Sequence, residues 1–397
     1  MREPAMARVV SRLPADFTLL QVTPELETGG AEQTTLDIAA AVAREGGRAI
    51  VASKGGRMAD NLVEHGGELV ELPVQSKNPL TIIANAFRLA ELIRREKVSL
   101  VHARSRAPAF SALWAARAAG VPFVATYHGV YEAKGPVKRW YNAVMTEGEA
   151  VIANSDYTRQ HILAEHRIDP AKVVAIDRGV DLARFDPKLV GKPRLAELRD
   201  RFGVAADDKR VKILLAGRLT RWKGQQLLID AAARLKAGGV EDFIILLAGD
   251  DQGRVGYRGE LEAAIAQAGL QGQVLLVGHC SDMPAAYLLA DIVVAPSLKP
   301  EPFGRTAVEP QVMGRLVLAA DHGATRETVV EGETGWRVAP GDAEAWSDAL
   351  ARAIALTPAK RAAIGRAAAT RARRLYSVEA MCEATLDLYG QILARRR

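Results

Sequence analysis

The sequence is poor in cysteine, in aromatic residues and in long apolar runs, and each shortage closes off a class of protein. Its 397 residues hold two cysteines, Cys280 and Cys382, far apart and without a CxxC spacing. That excludes a disulfide scaffold or a cysteine-rich metal site and makes a reducing compartment the natural reading. No stretch approaches the roughly 20 apolar residues that a membrane-spanning helix needs. The opening MREPAMARVVSRLPADF holds no apolar run of signal-peptide length. Asp156, Asp177, Glu147 and Glu149 do not fall at a spacing that would gather a metal ion. The GxGxxG dinucleotide fingerprint is missing after the first strand-like run, where Gly29-Gly30 stands instead. These absences lead to the expectation of a cytoplasmic protein without a resident metal.

What is present is ordinary for a globular chain: 49% hydrophobic and 25% charged residues. The length suffices for two domains. A formal charge of +6 gives a weak pull on anionic partners. Nucleotide-sugars, acidic glycans and anionic membrane surfaces all fit, whereas no nucleic-acid-binding motif occurs.

Short apolar β-type runs alternate with helical stretches along the whole chain. The first half offers runs at 17–23, 48–53, 68–73, 98–103, 122–127, 150–155 and 172–177. The second offers 211–217, 242–249, 273–278, 291–297, 315–321 and 334–340. The runs are continuous rather than alternating, as expected for parallel strands covered on both faces. The rhythm breaks at about 181–209, where prolines and charges crowd. The fold class is therefore α/β, with two Rossmann-like, doubly wound domains facing across a cleft. The expected divisions are an amino-terminal domain 1–190, a linker 191–209, a second domain 210–375 and a terminal helix 376–397.

The segment Glu301-Pro-Phe-Gly-Arg-Thr-Ala-Val-Glu309 carries most of the functional information. Glu301 lies on a loop after a strand, and Glu309 projects from the helix that follows. Ligands of open α/β sheets sit at the carboxyl ends of strands. Amides of Phe303 and Gly304 would open that helix, where unpaired N–H groups favour an anion such as a diphosphate. A carboxylate on each side suits a ligand rich in hydroxyls. Gly217-Arg218 and Lys223 share another strand-to-helix loop, where Arg grips phosphate in two parallel bonds and Lys adds a mobile charge.

Other residues are open to two readings. Gly29-Gly30 lets backbone approach a ligand, or makes a plain turn. His128 ends a strand and can donate to a hydroxyl, although a lone His is more often structural. Arg104, Arg106, Tyr131, Lys134, Lys138 and Arg139 would rim the amino-terminal side of the cleft. They fit an acidic acceptor, a surface against anionic lipid headgroups, or ordinary surface charge.

Taken in order, these segments resemble the retaining glycosyltransferases of family four, which have the GT-B fold. The match includes GGAE (29–32), VHARS (101–105), TYHG (126–129), IANSDYT (152–158), RGVDLARF (178–185), AGRLTRWKG (216–224), VGHCSDM (277–283), EPFGRTAVE (301–309) and GETGWRVAPGD (332–342). The resemblance implies that Arg218 and Lys223 hold the donor diphosphate and stabilise its leaving charge. It puts Glu301, with amides at Phe303 and Gly304, on the transferred sugar, and His128 beside it. Glu309 would take the ribose, with Arg305 next to it. Gly217, Gly29 and Gly30 would let loops approach the donor, and Gly278, Cys280 and Asp282 would run near the base. The terminal helix would cross back onto the first domain.

Three departures carry expectations of their own. Pro310 would remove an intrahelical bond and shift Glu309. Arg104 stands where relatives often have a second His. His322-Gly323-Ala324 lacks a paired glycine. The implied function is transfer of a mannose- or glucose-type hexose from a nucleotide-diphospho-sugar to a glycan or glycolipid, in bacterial lipopolysaccharide or surface-polysaccharide synthesis. The nucleotide-sugar is a co-substrate and no cofactor is implied. Peripheral contact with the inner membrane face is compatible with this. The rivals are a nucleotide-sugar 2-epimerase of the same fold and a non-catalytic sugar-nucleotide-binding protein.

Overall fold

All thirteen apolar runs form strands, and the strands pair in parallel. The computed structural model describes residues 12–27, 29–133, 135–251, 253 and 255–396. The chain divides into two units: unit 1 runs to Gly179 and resumes at Val378, and unit 2 is Val180–Ser377.

Unit 1 holds β1 (Thr18–Val22), β2 (Arg48–Ser53), β3 (Gly67–Glu71), β4 (Leu100–Ala103), β5 (Phe123–Tyr127), β6 (Ala150–Ala153) and β7 (Val173–Ala175). They lie in the order β3-β2-β1-β4-β5-β6-β7. The direction of winding reverses between β1 and β4, which opens a crevice at their carboxyl ends. Successive side chains feed opposite layers. Leu20 and Val22 join Leu89 and Phe110 of the helices Pro79–Arg95 and Arg106–Ala119. Leu19 joins Leu36 of the helix Gly30–Arg44 and Tyr389 of the terminal helix Val378–Ala394. Each such fully buried aliphatic side chain contributes about 1.5–3 kcal/mol. Local signals set the helix ends. Asn78 caps the helix Pro79–Arg95 through the Leu80 amide, and Gly120, in the left-handed region, ends Arg106–Ala119.

Unit 2 holds β8 (Val211–Ala216), β9 (Phe243–Ala248), β10 (Val274–Gly278), β11 (Ile292–Ala295), β12 (Leu316–Ala320) and β13 (Trp336–Val338). Their order is β10-β9-β8-β11-β12-β13, with the reversal between β8 and β11. The same alternation recurs: Ile213 and Leu215 enter one layer, Leu214 and Ala216 the other.

The structure places the division differently from the sequence reading. Unit 1 ends at Gly179, not near 190, and residues 191–209 are not a free linker. They carry the helix Lys192–Arg201, whose Leu198 joins Phe202 and Val204 in the core of unit 2 beside Tyr287. The helix is strongly charged, so its narrow apolar stripe does not stand out in the sequence. The terminal helix belongs to unit 1, where Met381, Leu386 and Tyr389 are buried.

Candidate active site

In unit 2, the two loops that leave β8 and β11 bring Lys223 and Glu301 together at the switch point. Lys223 follows β8 in a short turn (Arg221–Lys223) that Gly224 closes with φ 81°. A Cβ on Gly224 would stand 2.1 Å from the Pro296 carbonyl oxygen, so only glycine fits there. The Lys223 stem lies over Gly217, and its ammonium sits 4.4 Å from the Trp222 ring centroid. The Lys223 Nζ donates to Glu301 Oε1 at 2.5 Å, and both side chains are largely buried. Ser297 Oγ donates to the same carboxylate oxygen at 2.7 Å.

The Glu301 backbone is fixed as firmly as its side chain. The Ala324 amide donates to its carbonyl oxygen at 3.0 Å. A Cβ on Gly323 (φ +63°) would meet the Glu301 oxygen at 2.7 Å, so one glycine in the His322-Gly323-Ala324 turn suffices for this approach. His322 Nε2 donates to the Ser297 carbonyl at 2.7 Å and ties that turn to the β11 loop. Sequence reasoning missed Ser297, and it noted His322 only as part of a turn without a paired glycine. Their signal was position alone, at the ends of β11 and β12.

Gly304 (φ 78°) turns the chain into the helix Arg305–Val312, and Phe303 is buried edge-on against Tyr376 at 5.7 Å. The helix runs on across Pro310, and the Arg315 amide takes up the Pro310 carbonyl at 2.9 Å. Glu309 is buried, with Oε1 accepting from Arg305 Nε at 2.8 Å and Oε2 from Tyr287 Oη at 3.0 Å. Arg305 is therefore a partner of Glu309, and Tyr287 is a residue that the sequence did not flag. Arg218 is exposed on the same loop as Lys223, and Gln225 holds its carbonyl at 2.9 Å.

Gly278 ends the edge strand β10, and Cys280 and Asp282 follow it. Asp282 pairs in two parallel bonds with Arg194, at 2.5 and 2.6 Å, and caps the next helix through the Ala285 amide. The Arg194 guanidinium holds that carboxyl below its usual range. Cys280 is buried with Arg201 beside its sulfur, and burial pushes the thiol up. Both arginines come from the segment that the sequence suggested was a linker.

In unit 1, Gly29 and Gly30 open the helix Gly30–Arg44 after β1. A Cβ on Gly30 would stand 2.5 Å from an Arg178 guanidinium nitrogen, so Arg178 lies directly against the helix start. Arg178 Nη2 donates to His128 Nδ1 at 3.0 Å. A guanidinium only donates, so the neutral His128 ring carries its proton on Nε2. Burial, then the charges of Arg178 and Arg104, hold the His128 pKa well below the usual histidine value. Its Nε2 is buried and makes no hydrogen bond among the described residues.

The basic rim expected on this side does not form as a set. Arg104 is only 2% exposed: it lies inside unit 1, donating through Nε to Gln21 Oε1 on β1 at 2.9 Å. The strand alternation that ends β4 points it inward. Arg106 stacks over the Tyr131 ring at 3.9 Å and donates to Asn142 at 2.8 Å. Lys138 and Arg139 are exposed on the helix Pro136–Ala143 beside Trp140. Lys134 lies outside the described residues.

No group of three or more His, Cys, Asp or Glu side chains that could hold a metal ion occurs among the described residues. No helix among them is long and apolar enough to cross a membrane.

Comparison with known proteins matches both units. Residues 28–184 fit the profile described as Glycosyltransferase Family 4, and residues 197–371 that of Glycosyl transferases group 1. A D-inositol 3-phosphate glycosyltransferase of Actinosynnema mirum is 32% identical over 298 residues, 70% of this chain and 69% of that one. A lipopolysaccharide core biosynthesis mannosyltransferase, LpcC of Rhizobium leguminosarum bv. viciae, is 32% identical over 251 residues, 63% of this chain and 66% of that one. The chain spans 50% to 69% of the length of the curated relatives it matches. Among solved structures, a glycosyltransferase of Rickettsia africae superposes with a TM-score of 0.86 at 34% identity, covering 95% of this chain and 99% of that one. The Anabaena HepE protein in complex with UDP and glucose shares the fold, with a TM-score of 0.78 at 24% identity over 94% of this chain and 100% of that one. With both units matched and the Rickettsia structure covered almost completely, the chain belongs to glycosyltransferase family 4 and has the GT-B fold.

Proposed function

We propose that this chain is a retaining hexosyltransferase, moving a mannose- or glucose-type sugar from a nucleotide-diphospho-sugar to a glycan or glycolipid of the bacterial surface. The observation that carries the reading is the Lys223–Glu301 pair, held by Ser297 at the β8/β11 switch point. Fixed donors and acceptors aimed at one place act with little reorganisation, which is the main source of electrostatic catalysis. Arg218 and Lys223 offset the charge of the departing diphosphate. Glu301 accepts hydrogen bonds from the transferred sugar, and Glu309 with Tyr287 and Arg305 forms the ribose end. His128, with its proton on Nε2, donates to a sugar hydroxyl.

In the reaction the bond from the anomeric carbon to the phosphate oxygen breaks, and its electron pair leaves with the diphosphate. The acceptor hydroxyl oxygen bonds to the same face of that carbon, and its proton passes to the departing phosphate oxygen. No side chain becomes a covalent nucleophile, unlike most retaining glycosidases. The donor and acceptor classes draw support from the UDP and glucose of HepE and the lipopolysaccharide core of LpcC.

The reading includes peripheral contact with an anionic membrane. Leu80, Ile83 and Phe87 lie exposed along one stripe of the helix Pro79–Arg95, and Val137 and Trp140 on Pro136–Ala143 beside Lys138 and Arg139. Apolar side chains flanked by cations suit a headgroup region. The contact is abandoned if the protein ignores anionic vesicles at low salt.

Thermal stabilisation by UDP-, GDP- and ADP-sugars, with NAD as control, tests the donor site. A shift with one nucleotide class, lost in Lys223→Ala, supports the reading. No shift with any of them overturns it, and release of free epimerised sugar would favour a 2-epimerase.

A further inference from the structure

The turn Arg221–Lys223 sends its two cations to different carboxylates, and each cation lies over an aromatic ring. Arg221 Nη2 donates to Glu260 Oε1 at 2.8 Å, with its guanidinium 5.2 Å from the Tyr257 ring centroid. The two charged side chains are 73% and 49% exposed, and a solvated ion pair contributes little. Lys223 Nζ donates to Glu301 Oε1 with the Trp222 ring centroid 4.4 Å away, and the Lys223 side chain is only 13% exposed. A contact between a cation and a ring strengthens when water is excluded. Trp222 stands between the two cations in the chain and sides with the buried one.

Lysine is a point charge on a flexible stem, so a site that depends on its position has to hold it. The ammonium only donates, through three N–H groups. The Glu301 oxygen that takes one of them also accepts from Ser297 Oγ at 2.7 Å. In the transferase reading Glu301 serves the sugar and Lys223 the diphosphate, so their ion pair loosens when the ammonium most needs to stay in place. A ring face attracts the ammonium without engaging any single N–H. It therefore holds the charge while the N–H groups change partners. The Trp222 backbone is tied independently of the ring: its carbonyl oxygen accepts from the Leu298 amide at 2.7 Å, which joins the β8 loop to the β11 loop. The side chain can be changed while that bond remains.

We propose that Trp222 is a positioning residue of the donor site: its ring keeps the Lys223 ammonium where the departing diphosphate needs it, and its effect on the rate passes through Lys223 alone. The proposal rests on the transferase reading for the diphosphate, and on the geometry of unit 2 for the contact between ring and ammonium. It gives the exposed cluster of Arg221, Tyr257 and Glu260 no share in the reaction.

The test is a double-mutant cycle on the full chain, with kcat/KM read as nucleoside diphosphate released from the nucleotide-sugar that stabilises the wild type. Trp222→Leu should lower it by about 3–30-fold, the range for a cation–π contact shielded from water. In the Lys223→Ala background the same substitution should change it by less than about twofold. Trp222→Phe and Trp222→Tyr should keep most of the rate, whereas Trp222→Met, long and flexible but without a ring, should not. Arg221→Gln, which opens the exposed pair, should leave the rate within about twofold. Equal losses from Trp222→Leu in both backgrounds would mean that Trp222 meets the ligand itself or shapes the turn, and would overturn the proposal. So would a loss in Arg221→Gln as large as in Trp222→Leu. A rate kept as well by Trp222→Met as by Trp222→Phe overturns it too, and that comparison decides even if Trp222→Leu fails to fold or the Lys223→Ala rate is too slow to time. Failure of the transferase reading is distinct: the wild type then releases no nucleoside diphosphate from UDP-, GDP- or ADP-sugars, and the proposal falls with it.

Discussion

At the β8/β11 switch point Lys223 meets Glu301 and Arg305 meets Glu309; at the β1/β4 switch point Arg104 meets the neutral oxygens of Gln21 and Thr126. The two sheets share a strand order through their first strands, and each reverses direction at the same place. In both, side chains beyond the strand ends gather polar groups. What differs is the charge balance. Unit 2 compensates these cations from its own sequence and holds them in place before any ligand arrives. Unit 1 holds the buried Arg104 on neutral oxygens alone. A shared fold thus places a site without deciding its electrostatics, which a few residues at the strand ends determine.

The largest effect in this comparison should come from breaking the compensated pair. Lys223→Ala or Glu301→Gln should each lower kcat by about 10²–10³-fold, the scale for removing one preorganised transition-state contact. Transfer measured at saturating donor checks this. A loss below tenfold in both variants would show that the pair only positions the loop.

A smaller effect tests how firmly Glu301 is held. Gly323→Ala forces a side chain into the left-handed region and against the Glu301 backbone, and should cost about 1–3 kcal/mol of stability. Gly120→Ala is the control: it has a similar φ with open space around it, so it carries the left-handed penalty alone, about 1–2 kcal/mol. Chemical denaturation of the two variants compares them. Equal losses would mean that the Glu301 contact adds no strain.

The smallest effect concerns acid. His102, fully buried, meets Tyr389 Oη at 2.5 Å through Nδ1 and Thr126 Oγ1 at 2.7 Å through Nε2. Burial, then the charges of Arg104 and His128, hold its pKa well below the usual value, and His128 is shifted the same way. Below about pH 6.5 the unfolded chain therefore binds protons that the folded chain does not. Stability should fall from there as pH drops toward the depressed folded pKa, and be unaffected by these groups above it. The melting temperature of His102→Gln should accordingly vary less between about pH 7.5 and about pH 5.5 than that of the wild type, the two conditions lying about one unit either side of the usual histidine value. An unchanged slope would remove His102 from the account.

Much of the fold was legible because its signals are local. Each strand is a continuous apolar run, and the loops of Lys223 and Glu301 are short segments that follow such runs. The polar cluster of unit 1 was not legible, because it is assembled from afar: His102 reaches Tyr389 across 287 positions, and Arg104 reaches Gln21 across 83. One trace existed, since Gln21 and His102 interrupt otherwise apolar strands and a polar residue there needs a buried partner. The helix Lys192–Arg201 was hidden by its charges, although Arg194 and Arg201 turn out to hold the Asp282 and Cys280 segment.

The central claim, that the unit with compensated charges takes the donor, is tested most directly by hydrogen exchange with and without a nucleotide-diphospho-sugar. The account predicts that the donor slows exchange mainly in residues 217–225 and 297–309, and that Lys223→Ala abolishes this. Protection confined to the segments around Gly30, Arg104 and His128, with unit 2 unchanged, would contradict it.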